Sequence, residues 1–209
     1  HGPYISLDFA GPSRHDRIVQ LLSELFDATV DDMTKIHKDV KSLVAPTLIK
    51  IFVENAGHCR HSLSNEAIAL LSDWDCEVTE SSAAATIYNV VRRRWAETVG
   101  THLGVMAPEL GAPGWPSAQQ ASRMLFESAT EVLVSGEVHQ ITGLETSKKL
   151  TDAISSVVDG SLTELEDRCG PLMSEWNWGR VHRMASAHPL ARQWQPARSL
   201  HPPMDGCPG

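Results

Sequence analysis

No apolar run in these 209 residues approaches the roughly 18–20 residues that a membrane-spanning helix needs, so the sequence encodes no helical membrane span. Positive charge is in deficit. Eighteen Lys and Arg stand against twenty-six Asp and Glu, a formal charge of −8. That balance excludes a broad nucleic-acid footprint, which needs net positive surface to displace counterions. Cysteine is sparse and scattered: Cys59, Cys76, Cys169 and Cys207 form no C-x-x-C pair and match neither common structural zinc spacing. They are no disulfide scaffold; one bridge is open in an oxidising compartment, and the spacing leaves its members undetermined. Strands are missing as well, with no β pattern of five or more residues, no repeat at a fixed period and no low-complexity tract. The opening His1-Gly2-Pro3 lacks a Met, a basic n-region and an apolar h-region, so no signal peptide is expected within it. Both ends read as products of processing or as cuts within something longer.

What is present is helical periodicity. Ile18, Leu21, Leu22 and Leu25 follow i, i+3, i+4, i+7 spacing and predict a helix from about Arg14 to Phe26. Thr29 is placed to cap the next helix, with Asp31 and Asp32 in its first turn and a stripe running Met33, Ile36, Val40, Leu43, Val44. Pro46 starts a third helix carrying Leu48, Ile49 and Phe52, and Asn55-Ala56-Gly57 reads as its stop. Ser64 opens a short helix with Ile68, Leu71 and Trp74 inward. Ser81 or Ser82 opens a longer one with Ala84, Tyr88, Val91, Trp95 and Val99 on one face. Leu103 to Pro116, rich in Pro and Gly, reads as a loop. A helix from Ser117 is expected to bury Ala121, Met124, Leu125 and Val132. The last runs from about Ser147 to Arg168, with Leu150, Ile154, Val157, Leu162 and Leu165 inward, and ends at Gly170-Pro171. The expectation is an all-α piece of about six helices, with residues 1–171 as a helical unit and 172–209 as an irregular tail that leans on another element.

Four constellations could carry chemistry. His58-Cys59-Arg60-His61 holds three zinc-competent side chains, but a structural site takes four and no second pair supports them. The many Ser and ten His occupy no nucleophile motif: there is no G-x-S-x-G, no papain-like Cys segment and no H-E-x-x-H. Arg92-Arg93-Arg94 lies on one helix, where successive residues point about 100° apart, so the three fan round a polar side as a solvated face or as ion pairs to a neighbour. Trp176-Asn177-Trp178-Gly179-Arg180-Val181-His182-Arg183, followed by His188-Pro189-Leu190, reads as extended chain with both indoles facing one way and docking on another surface. Trp115, Trp176, Trp178 and Trp194 fall outside the strongest helical patterns and are expected to clamp loops to a core. No residue is assigned a catalytic, cofactor-binding or metal-binding role.

That last stretch resembles the W-x-W-G-x-x-H…H-P-L signature of the penicillin acylase (penicillin amidase) family. Pro3-Tyr4-Ile5-Ser6-Leu7-Asp8-Phe9, Pro12-Ser13-Arg14 and Arg17-Ile18 resemble the family segment that enters the helical part of the β-chain. Thr29-Val30-Asp31-Asp32-Met33, with Ile36 and Asp39, is similar to its T-x-(E/D)-D-M-x-x-(I/L)-Q-x-D element, His37 standing where Gln is usual. Leu70-Leu71-Ser72-Asp73-Trp74-Asp75 resembles the L-x-x-W-D-G turn, with Cys76 in place of Gly, and Ser82 to Tyr88 resembles the helix that follows.

The resemblance implies an N-terminal-nucleophile hydrolase with a four-layer α-β-β-α core, self-cleaved into α and β chains. There a β-chain N-terminal Ser, Thr or Cys attacks an amide carbonyl, and its own α-amino group is the base. It implies penicillins, cephalosporins or N-acyl homoserine lactones as substrates, export to the periplasm or outside the cell, and a parent protein able to hold calcium. This sequence departs from the family where catalysis resides. Residue 1 is His, no Asn precedes Asn55 to serve as oxyanion donor, and the sequence reaches only Met204-Asp205-Gly206 near the return to the sheet. It is therefore expected to be the helical part of the β-chain, without cofactor and inactive alone. Its expected partners are the remaining α and β chain segments, and by itself it is expected to associate as a dimer or higher oligomer. The alternative is a free-standing helical interaction module derived from that family.

Overall fold

The computed structural model describes residues 12–103 and 118–182. Among them lie eight α-helices and no strand beyond an isolated antiparallel bridge between Lys41 and Glu77. The helices are α1 (Ser13–Ser23), α2 (Val30–His37), α3 (Ala45–Asn55), α4 (Ser64–Ser72), α5 (Ala83–His102), α6 (Ala118–Ser135), α7 (Ser147–Cys169) and α8 (Trp178–Val181). The all-α expectation holds. Of the expected Leu103 to Pro116 loop all but Leu103, together with Trp115, Trp194 and the His188-Pro189-Leu190 turn, lies outside what is described, as does the burial of Ala121 and Met124.

Helix α5 is the axis of the fold. Ser82 caps it, its hydroxyl accepting from Ala85 N at 3.0 Å. All five residues expected inward are buried, together with Ile87, Val90 and Ala96 on adjoining sides, because α5 is flanked by α6, α7 and α4. Helix α7, capped by Thr146, buries Leu150, Ile154, Val157, Leu162 and Leu165 as expected. Helix α3 contributes Leu48, Ile49 and Phe52 to the same core. Each fully buried large aliphatic or aromatic side chain supplies about 1.5–3 kcal/mol, and these long helices hold most of them.

Three local expectations are corrected. The second helix does not run on to Val44. Asp39 is captured by Arg17, with Nη2 to Oδ1 at 2.7 Å, and by Lys41 N at 3.3 Å. Val40 and Ser42 instead pair with the 76–78 segment, Val78 N donating to Val40 O at 3.0 Å and Ser42 N to Cys76 O at 2.9 Å. Val40 and Leu43 are therefore exposed. Among the described side chains of α6, Ala129, Thr130 and Leu133 are buried, while Leu125 and Val132 are half-buried. The Trp95 indole sets that register by donating to Ala129 O at 2.8 Å. Finally, the tryptophan pair does not lie on extended chain: a 3-10 turn at Met173–Glu175 precedes Trp176, and Trp178 opens α8.

Candidate functional site

The His58 to His61 segment begins at the last residue of the 3-10 turn Ala56–His58 that follows α3, and the turn packs along α7. Asp152, Asp159 and Glu166 recur every seven residues, which keeps them on one side of that helix. They receive the segment in order. His58 Nδ1 lies 2.8 Å from Asp152 Oδ1. The amides of Arg60 and His61 donate to the Asp159 carboxylate at 2.9–3.1 Å. His61 Nε2 lies 3.3 Å from Glu166 Oε2. Two further bonds fasten the start of the segment, Thr151 Oγ1 to Asn55 Oδ1 at 2.8 Å and Ser155 Oγ to Asn55 O at 2.9 Å.

This geometry decides what the imidazoles do. His61 Nδ1 accepts from Leu63 N at 3.2 Å, which leaves the ring proton on Nε2, aimed at Glu166. A histidine held by a carboxylate is half of a triad, but the nitrogen that would serve as base is already bonded to the first amide of the α4 entry. The Cys59 thiol sits 3.7 Å from Ser155 O, and burial, with Asp159 adding to it, pushes it up away from the reactive thiolate. No three His, Cys, Asp or Glu side chains converge as a metal site among the described residues. Cys59, Cys76 and Cys169 are free.

The arginine run fans as the helical pitch requires, and its partners lie within this chain. Arg92 turns to α6, donating from Nε to Thr130 Oγ1 at 2.8 Å and from Nη2 to Glu127 at 3.0 Å, its guanidinium 4.0 Å from the Phe126 ring centroid. Arg93 and Arg94 turn to α7 and share Glu164 at 2.5 and 3.0 Å; Arg168 joins it at 3.0 Å and Arg93 also bonds Glu97. Burial pushes the Glu164 carboxyl up, but the three guanidinium groups outweigh this and hold it below the usual glutamate range. Nothing here is left free to clamp a phosphate. Glu164 and the Asp152, Asp159, Glu166 series were not singled out from sequence, although the seven-residue acid spacing was there to be read.

Trp176 is corrected as a docking residue and meets the expectation of a loop clamp. It is fully buried within this chain, its Nε1 donating to Gly170 O at 2.8 Å, so it clamps the turn after α7 onto the core. Trp178 stacks on His182 with ring centroids 4.7 Å apart. Gly179 N donates to Glu80 O at 2.9 Å, and a Cβ there would come within 2.2 Å of Glu80 Cγ, so a larger residue would have to displace the exposed Glu80 side chain. An open cleft of about 580 Å³ lies between Thr79–Ser81 and Asn177–Arg180. A second groove, about 510 Å³, runs between α1, the entry to α3 and α6; Leu43, Val134, Asp16, Glu127 and Glu131 line it.

The family profile described as Penicillin amidase matches residues 1–206. The chain is 26% identical over 198 residues to the Penicillin acylase 2 proenzyme of Pseudomonas sp. (strain SE83), covering 93% of this chain and 24% of that relative. It therefore spans about a quarter of the length of the curated relative it matches.

Proposed function

The chain belongs to the penicillin amidase family, and from that premise we propose that it is the helical part of the β-chain of an acylase that hydrolyses a linear acyl amide. The carrying observation is the match that runs through nearly the whole chain. Supporting it, the two constellations singled out from sequence in the described part, His58 to His61 and the arginine run, are tied into the helical packing. In this reading the nucleophile, its α-amino base and the oxyanion donors come from the remaining segments of the α and β chains, in an N-terminal-nucleophile core. This segment frames the outer wall of the acyl pocket and supports the sheet. Penicillins, cephalosporins and N-acyl homoserine lactones are the substrate classes proposed, with the parent acting in the periplasm or outside the cell.

The test compares purified residues 1–209 with the polypeptide of the natural reading frame, using release of a chromophore from phenylacetyl and long-chain acyl anilides. The longer protein is expected to turn over and residues 1–209 are not. Losing one oxyanion donor alone typically costs about 10²–10³ in rate, and here the nucleophile is proposed to lie elsewhere too. Turnover by residues 1–209 that disappears on substituting one of its own Ser or His would overturn the proposal. So would a reading frame that encodes an unrelated domain upstream.

A further inference from the structure

We draw no further inference here: the strongest candidate, the open cleft between Thr79–Ser81 at the entry to α5 and Asn177–Arg180 around α8, is walled by solvent-facing polar side chains, and nothing in the structure shows what occupies it.

Discussion

At Cys76 the backbone φ is 65°, in the left-handed region that costs a side-chain-bearing residue about 1–2 kcal/mol. This is the position where the family turn carries glycine, and the structure gives the reason: Cys76 O must turn to accept from Ser42 N at 2.9 Å while its thiol stays buried. Two substitutions separate strain from burial. Cys76→Ala loses the thiol and keeps the strain, whereas Cys76→Gly loses both. The glycine variant is expected to be the more stable of the two by about 1 kcal/mol in urea unfolding. The reverse order would show the turn unstrained. Asp32 gives a second residue-scale test. Its carboxylate closes the α2 capping box, and bonds from the Thr29 hydroxyl, Lys35 and the Thr29 amide lower it to about 2. A carboxylate depressed in the folded state contributes its stabilisation above its unfolded value and loses it as pH falls. The α2 cap should therefore be intact above about pH 4 and melt out toward pH 2. Thr29→Ala should move the Asp32 midpoint back toward about 3.9 in an NMR titration; an unmoved midpoint would mean that the cap does not set it.

Between elements, the strongest polar tie is Glu164 with Arg93, Arg94 and Arg168, which joins α5 to α7. The Glu164 side chain is only 19% exposed, so screening is partial. Glu164→Gln should cost about 1–2 kcal/mol in urea unfolding near pH 7. Because the folded carboxyl is depressed, the difference should shrink as pH falls below about 4, and a gap that persists there would assign the loss to packing. The long helices were legible in the sequence for a reason visible here. Helices α5 and α7 bury broad stripes at helical spacing and begin at Ser82 and Thr146 caps. Helix α2 was overread because Val40, Leu43 and Val44 keep the apolar spacing, and only the distant 76–78 segment ends the helix. Trp176 looked available because nothing local announces a 3-10 turn that swings its indole back to Gly170. The candidate polar cluster was half legible: His58 to His61 stood out, and its acidic receivers about a hundred residues on did not.

Across the whole molecule, attachment is uneven. Helix α1 buries no residue completely and α2 buries Ile36, while α5 and α7 carry much of the core. The α1–α2 hairpin is held chiefly by Arg14 and Arg17, which donate to Ile36 O, Asp39 O and the Asp39 carboxylate. Opening it exposes little apolar surface, so it should exchange its amides through local opening rather than global unfolding. Hydrogen exchange should show α1 and α2 amides at least tenfold less protected than those of α5 and α7. Uniform protection across all four helices would contradict this.

The fastening of Asn55 to Thr151 and Ser155, and of Arg60 to Asp159, joins residues 96 to 100 positions apart. A ribosome adding about 5–20 residues per second needs on the order of 5–20 s to cross that gap. For that interval α3 has been made but the helix that covers it has not, and Leu48, Ile49 and Phe52 must wait without α7. Loop closure over such a span comes late and is entropically costly. The nascent chain is thus most open to aggregation between the synthesis of α3 and that of α7, and slowing translation between residues 60 and 150 should lower the soluble yield more than slowing it after residue 170.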